Sequence, residues 1–243
     1  MCGRRGSVAL MMGAALASLV GAQIDNGLPG PQPIDAGGMI LRQQLLRGVM
    51  ENNQRSVDRG GRQKEEAAGG YLVYRRDLAV TERVKRAYIA QAERAYGKKA
   101  VALRQFLDGN DFVQVWAKGA AADGMRPNDL GDSLAEYWAT NWQIVRGLSS
   151  TMPSQTRAVR YQIGPVIARM PAIRRMSDAQ KQTLSETLML NLIFEVIGAD
   201  AARKKGDPAT LAKVRQATAV RFQQEFGVDL NTLNVTNRGL VRA

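Results

Sequence analysis

The sequence predicts an all-α fold, in which a single irregular bundle of six or seven helices follows a disordered N-terminal leader. Two observations predict it. From Arg76 onward, apolar residues recur at helical spacing in one segment after another, and capping residues, glycines and prolines separate the segments. Before residue 70, two stretches are rich in glycine, proline and polar residues and have little to bury. The composition, with 45% hydrophobic and 23% charged residues, is that of ordinary globular domains.

The first 22 residues are typical of a secretory signal peptide. Arg4 and Arg5 precede an uncharged run over residues 7–20, which is shorter than the roughly 20 apolar residues that span a bilayer. Small residues follow, so we expect cleavage near Ala22, no transmembrane segment in the mature chain, and a periplasmic or secreted location. An anchor that stays attached is the alternative. The one cysteine, Cys2, lies inside the segment to be removed, which would leave the mature chain without a thiol.

Residues 23–70 are predicted to be a flexible linker, and residues 71–243 to be the helical domain. Within the linker, residues 39–50 place apolar side chains at helical spacing, so one short amphipathic helix would dock on its own domain or on a partner. Residues 71–74 are the only plausible strand of the chain. A single short strand cannot form a sheet alone, so we expect no sheet.

The first helices of the domain are short and well delimited. Asp77 or Thr81 begins the first helix, and a second helix covers residues 99–107. Asn110 or Asp111 caps the third.

The helix predicted over residues 128–147 carries the candidate binding residues Trp138, Asn141 and Trp142. Asn128 is its predicted N-cap. The three candidates fall on the apolar side, so Asn141 lies among aromatic rings and needs hydrogen-bond partners if it is buried. We interpret Asn141 as a structural residue bonded to a neighbouring backbone. A role in orienting a ligand is the alternative.

The opposite side of the same helix is polar, and its residues are Asp129, Asp132, Glu136, Thr140 and Gln143. Acids at this spacing are typical of a solvated helix face, which is our interpretation. A catalytic role for Glu136 is the alternative.

A helix over residues 154–170 carries Arg157, Arg160 and Arg169. Pro165 removes a backbone donor inside it and is expected to kink or break it. We interpret the three arginines as solvated side chains with buried stems. A phosphate-binding strip is the alternative.

The helix over residues 178–197 is the most hydrophobic and is predicted to be the central one, with Ser177 as its cap. Its polar residues recur every four positions, and they are Thr183, Thr187, Asn191 and Glu195. We interpret this stripe as meeting water. The alternative is a buried polar seam that holds Glu195 in a low-dielectric site with a raised pKa. Glu195 is the first choice for carboxylate catalysis, and Glu186 lies on the same helix.

The last helix begins at Asp207–Pro208, with aspartate as cap and proline at the first helical position. The tail over residues 228–243 alternates apolar and polar residues loosely. We expect an ordered extension that packs on the bundle.

Several chemistries are excluded or have no support in the sequence. Histidine is absent, which excludes Ser-His-Asp and Cys-His catalysis and histidine zinc sites. We find no dinucleotide fingerprint, Walker loop, EF-hand loop or zinc spacing, so we expect no cofactor and no metal, and we see no sequence-specific nucleic-acid signature. The net charge is +12, or +10 without Arg4 and Arg5, and it favours anionic partners in general.

One set of spaced residues gives the domain a resemblance to a known family, and its members here are Gly124, Met125, Asn128, Leu130, Tyr137, Trp138 and Trp142. Further matching stretches extend the likeness to roughly residues 71–241. The domain resembles a family of secreted proteobacterial proteins known only as a domain of unknown function, of the 6683 type. That family usually has a proline–serine pair where this chain has Arg76–Asp77. The resemblance implies an exported helical domain, with no established activity or site.

Two classes of function remain. We favour a non-enzymatic binding or interaction module for a protein partner or an anionic polymer of the cell envelope, which would use the three arginines and the aromatic helix. The alternative is a histidine-free hydrolase or lyase that cleaves glycans with Glu195, Glu136 or Glu186 as its acid. A glycosidase needs two carboxyl groups about 5 to 9.5 Å apart.

Overall fold

A computed structural model describes residues 70–243. The expected signal peptide, residues 1–22, and all of the expected linker except Gly70 lie outside the described residues. Seven α-helices of nine residues or more, one single-turn helix and a β-hairpin make up the described part. The prediction of an all-α bundle of six or seven helices is confirmed.

The helices, in chain order, are α1 (Leu78–Tyr96), α2 (Val101–Gly109), α3 (Phe112–Ala120), α4 (Leu130–Val145), α5 (Pro153–Arg169), α6 (Pro171–Arg174), α7 (Asp178–Lys205) and α8 (Pro208–Phe226). Short 3₁₀ turns lie at Gly97–Ala100, Ala121–Asp123 and Leu230–Thr232, and the strands are β1 (Leu233–Thr236) and β2 (Gly239–Arg242). Among the helices of residues 70–243, none combines the length and the apolar character that crossing a bilayer requires.

Side-chain caps begin several of the helices where the sequence predicted them. The capping residues of α1, α3, α7 and α8 are Asp77, Asp111, Ser177 and Asp207. Each side chain accepts a hydrogen bond from a backbone N–H in the first turn, which would otherwise have no partner.

Other helix boundaries differ from the prediction. Asp129, rather than Asn128, caps α4. The Asp129 carboxylate accepts from the N–H groups of Gly131 and Asp132 in the first turn, while the Asn128 carbonyl accepts from the Tyr74 N–H. The helix predicted to end at Ile197 continues to Lys205, through a segment in which alanine, arginine and lysine favour the helix, and it ends at Gly206 with φ 67°. The prediction at Pro165 was a kink or a break, and the break is wrong because α5 continues through this residue.

The sheet was predicted wrongly. Residues 71–74 form only one isolated bridge, between Val73 and Asp129. The strands lie instead in the tail, where β1 and β2 pair antiparallel with Val235 opposite Leu240. The expected packing of the tail on the bundle is confirmed. Gln162 of α5 accepts a hydrogen bond from the Leu240 N–H at 2.7 Å and donates one to the Leu240 carbonyl at 2.9 Å.

Helix α4 is the centre of the domain, and all of its residues are buried. Helices α5, α7 and α8 and the hairpin surround it. Trp138 packs against Phe222 and Phe226 of α8, with ring centroids 5.0 and 5.4 Å apart. The prediction that the helix starting at residue 178 is central is therefore wrong, since that helix, α7, packs beside α4.

Candidate functional site

The predicted acidic face of α4 is not solvated. Every polar residue assigned to that face, from Asp129 to Gln143, is buried. Arg160 of the neighbouring helix α5 pairs with Asp129 and Asp132 on this side of α4. Buried polar side chains of the domain form three separate clusters, of which this is the first.

The first cluster is centred on Arg160, whose side chain is 5% exposed. Its guanidinium pairs with the carboxylates of Asp132 and Asp129, the latter at 3.3 Å. Arg126 pairs with the same two carboxylates from the solvent side, and its Nε lies 3.0 Å from Asp132 Oδ2. Burial raises the pKa of Asp129, although Arg160 opposes the rise. Arg160 is therefore an interior ion-pair partner, and its interpretation as a solvated arginine is wrong.

The predicted arginine strip is dispersed as a result. Arg157 is half-buried and Arg169 is exposed, while Arg160 points into the core between them. The three residues do not form one surface for an anion.

The second cluster surrounds Glu186, which is fully buried. Its Oε1 accepts hydrogen bonds from Thr81 at 2.9 Å and from Gln182 at 2.8 Å, and it lies 3.6 Å from Arg76 Nε. Arg76 also pairs with Asp111 at the start of α3. Burial raises the pKa of Glu186, against the lowering effect of these hydrogen bonds. The contacts connect α1, α3 and α7, which is a structural role.

The third cluster, called the glutamate cluster below, consists of Tyr137, Glu195, Arg221 and Glu225. The Tyr137 hydroxyl donates a hydrogen bond to Glu225 Oε2 at 2.7 Å and lies 3.2 Å from Glu195 Oε1. Arg221 Nη2 is 2.9 Å from Glu195 Oε1, and Arg221 Nε is 3.6 Å from Glu225 Oε1. Two carboxyl groups from different helices thus meet at one hydroxyl and one guanidinium. Glu195 was a predicted site residue.

Asn141 extends this cluster. Its Nδ2 donates to the Tyr137 carbonyl of its own helix at 2.8 Å, and its Oδ1 accepts from Arg221 Nη2 at 2.6 Å. The partner that satisfies Asn141 is thus a buried guanidinium and its own helix backbone, rather than the backbone of a neighbouring element. Asn141 orients Arg221 toward Glu195.

The electrostatics of the glutamate cluster are unusual. Burial raises the pKa of the Glu195 carboxyl to about 7, against the lowering effect of Arg221 and with a further rise from Glu225. Burial also raises the pKa values of Tyr137 and Tyr88 well above the usual 10. The Tyr88 hydroxyl and Glu195 Oε2 are buried and have no hydrogen-bond partner within the described part of the chain.

The polar stripe of α7 is buried inside the bundle. The favoured interpretation, in which this stripe meets water, is therefore wrong. Thr187 and Asn191 are buried, Thr183 is half-buried, and the Glu195 side chain is 8% exposed. Thr183 and Thr187 satisfy their hydroxyls by donating to carbonyls one turn back, at 2.8 and 2.7 Å. Their neighbours on α1, α4 and α8 cover the stripe.

The remaining predicted site residues are also in the interior. Trp138 is fully buried, and buried Trp142 donates its indole N–H to the Leu233 carbonyl of β1 at 2.7 Å. Glu136 is buried and accepts from Thr140 at 3.5 Å. Neither tryptophan therefore offers a surface to a ligand. Within residues 70–243, no three acidic, cysteine or histidine side chains come together as a metal site.

Sequence reasoning missed two members of the glutamate cluster, Arg221 and Glu225. The available signal was their spacing, since an arginine and a glutamate four residues apart lie on one face of a helix. Such pairs are common on solvated faces, and only the packing of α8 on α4 and α7 shows that this pair is inside.

The surface has one row of cations that sequence reasoning also missed. Arg83, Arg86, Arg94 and Lys98 follow the outer face of α1 and the turn after it, and we call this row the α1 basic face. All four residues are exposed, and none forms an ion pair with a described residue. Their spacing of three, eight and four residues keeps them on one side of the helix.

Comparison with curated proteins and with solved structures found no match. A family model, by contrast, matches residues 73–242, which is nearly the whole described domain. The chain belongs to the family of unknown function DUF6683.

Proposed function

We propose that this domain is an exported, non-enzymatic binding module, and that its α1 basic face contacts an anionic polymer of the cell envelope. The observation that carries the proposal is a division of charge between interior and surface. Among the described residues, the buried acids are Asp123, Asp129, Asp132, Glu136, Glu186 and Glu225, whereas the buried cations are Arg160, Lys181 and Arg221. Folding therefore removes more negative than positive charge from the surface, and the surface of an already basic chain becomes more basic.

The shape of the α1 basic face favours a linear partner. Arg83 and Arg94 are eleven residues apart, which is about 16 Å along a helix axis. Arg86 lies between them and Lys98 continues the row. An acidic polysaccharide carries negative groups along its length and can meet such a row at several points, whereas a single phosphate would meet one cation.

The kind of binding also follows from the exposure of these side chains. All four side chains are exposed to solvent on long flexible stems. Attraction between exposed charges weakens as salt is added. We therefore expect binding that depends on the number of charges and on ionic strength, with little stereochemical selectivity.

Chromatography on immobilised heparin, used as a model acidic polysaccharide, tests the proposal. A triple variant, Arg83→Glu, Arg86→Glu and Arg94→Glu, should elute at clearly lower salt than the unaltered domain. The matched control reverses three exposed cations elsewhere that also form no ion pair with a described residue, namely Arg169, Arg175 and Lys213. The two variants have the same net charge, so equal elution of both would refute a specific role for α1. No retention of the unaltered domain would refute the binding proposal itself.

A glycan-cleaving enzyme is the second candidate, because Glu195 and Glu225 converge on the Tyr137 hydroxyl. Against it, the two side chains are 8% and 3% exposed, and both lie beside the guanidinium of Arg221. Incubation with a panel of envelope glycans tests this candidate. Product formation that is lost in both Glu195→Gln and Glu225→Gln, while each variant keeps the native circular dichroism spectrum, would favour the enzyme over the binding module.

A further inference from the structure

We infer that the glutamate cluster is a pH-sensitive joint between α4, α7 and α8, which holds the three helices most firmly when its two carboxyl groups share one bound proton. This inference does not depend on the proposed binding function, because it concerns the interior of the bundle. It rests on the hydrogen bonds and charges inside the cluster.

The hydrogen bonds of Tyr137 favour an additional proton. A hydroxyl has one hydrogen and donates to one acceptor at a time, yet the Tyr137 oxygen lies within hydrogen-bond distance of two carboxyl groups. Glu225 is the nearer, at 2.7 Å, and takes the hydrogen. Glu195, at 3.2 Å, can then form a hydrogen bond to the Tyr137 oxygen only if Glu195 itself carries a proton. Without that proton, a carboxylate faces an oxygen lone pair.

Burial of Glu195 acts in the same direction, and the groups around it oppose this effect only in part. From α8, the positive charge of Arg221 attracts the carboxylate while the negative charge of Glu225 opposes it. From α4, the Asn141 amide favours the ionised form, and the Tyr137 hydroxyl would do so only if its hydrogen pointed to Glu195 instead of Glu225. From α1, the Tyr88 hydroxyl is buried nearby and stays protonated. Together these neighbours do not compensate for the removal of Glu195 from water.

Helices α2 and α3 add no buried charge near Glu195. The charged residues of α2 and α3, which are Arg104, Asp108 and Lys118, are exposed. On α7 itself, the polar residue one turn before Glu195 is Asn191, which is uncharged, and Asp200 in the following turns pairs with Arg203.

The direction of the pH effect follows from proton binding. The pKa of Glu195 rises from 4.5, its ordinary value, to about 7 in the folded protein. Between these two values the folded state binds a proton that the unfolded chain releases, so the contribution of this group to stability falls as the pH rises. The stabilising contribution of Glu195 is largest below about pH 4.5 and smallest above about pH 7.

Loss of the proton would act on α8 in particular. That helix supplies both Arg221 and Glu225. The ionised Glu195 would attract Arg221 and repel Glu225. A shift of α8 away from α7 would admit water to the carboxylate and relieve its desolvation. The joint therefore loosens, and α8 opens more often, on the alkaline side of neutrality.

Urea unfolding of the unaltered domain and of Glu195→Gln at pH values from 5 to 8 tests this inference. The glutamine has the shape of the protonated acid but cannot ionise. The folding equilibrium constant of the unaltered domain, relative to that of the variant, should fall on the order of 100-fold between pH 5 and 8. Glu82→Gln is the matched control, since Glu82 is exposed, and its pH dependence should follow that of the unaltered domain.

A second variant guards against the case in which Glu195→Gln does not fold. Glu225→Gln removes the negative charge beside Glu195 and should move the loss of stability to lower pH. Native-state hydrogen exchange of α8 gives an independent measurement, because its amides should open more often at pH 8 than at pH 6 after correction for intrinsic exchange. The same pH dependence in the unaltered domain and in both cluster variants would overturn the inference, as would equal opening of α8 at the two pH values.

Discussion

Two glycines in the core of this domain leave the space that the buried side chain of Arg160 needs. The Arg160 guanidinium runs between α4 and α5 to reach Asp129 and Asp132, and it passes directly over Gly131 and Gly164. A Cβ atom at Gly131 would lie 2.8 Å from Arg160 Cζ, and one at Gly164 would clash with Arg160 Nη1. From the sequence alone, Gly164 next to Pro165 indicated a kink or a break in the helix. Its role in clearing a path for an arginine on the previous turn becomes visible only once that arginine is known to point inward.

Gly164→Ala should therefore lower the free energy of unfolding by about 2 to 4 kcal/mol, because the added methyl group displaces the guanidinium from its buried carboxylate partners. This expected loss is opposite in sign to the effect of helix propensity, because alanine in a helix is ordinarily more favourable than glycine by about 1 kcal/mol. Gly109→Ala is the matched control, for Gly109 also lies in a helix and has open space where its Cβ would be. Equal urea midpoints for the two variants would contradict this account of Gly164.

At the scale of secondary-structure elements, the sequence predicted how most helices begin but not what surrounds them. Caps such as Asp77 and Ser177 act through hydrogen bonds within a few residues, so a local pattern identifies them. Burial depends on partners that are distant in the chain. The polar side of α4 reads as solvated because its partner Arg160 lies 28 residues from Asp132 in the sequence. The same reasoning accounts for the glutamate cluster, whose members come from three helices.

The hairpin shows how one element depends on the side chain of another. Its strand β2 is joined to α5 through Gln162, whose amide bonds both the N–H and the carbonyl of Leu240 inside the protein. The loose alternation of the tail predicted an ordered extension, but a two-stranded sheet of four-residue strands is stable only with such support from a helix.

Gln162→Leu should lower the free energy of unfolding by about 2 to 3 kcal/mol, since it removes two buried hydrogen bonds while it keeps the side chain's size. The amides of β1 and β2 should exchange faster than those of α4 in the same variant. Gln114→Leu, at an exposed position of α3, serves as the control and should change stability by less than about 0.5 kcal/mol. Uniform acceleration across the hairpin and α4 would mean that Gln162 supports the whole fold and not the hairpin in particular.

For the whole molecule, the expectation that matters most to the proposed function is export, because an envelope polymer meets the protein only outside the cytoplasm. That expectation rests on residues 1–22, where two arginines, an uncharged run and a small-residue site follow one another. The family assignment covers residues 73–242 and so does not extend to this segment.

When the full chain is produced in a bacterium, the protein should accumulate outside the cytoplasm with Gln23 as its first residue, as measured by intact mass after fractionation. Ala22→Trp should block cleavage, because the signal peptidase site accepts only small residues at the position before the cut. The same substitution at Ala36, beyond the site, is the control and should leave processing unchanged. A protein that keeps Met1 and stays in the cytoplasm would remove the premise of an envelope partner, and the α1 basic face would then have to serve an anionic partner inside the cell.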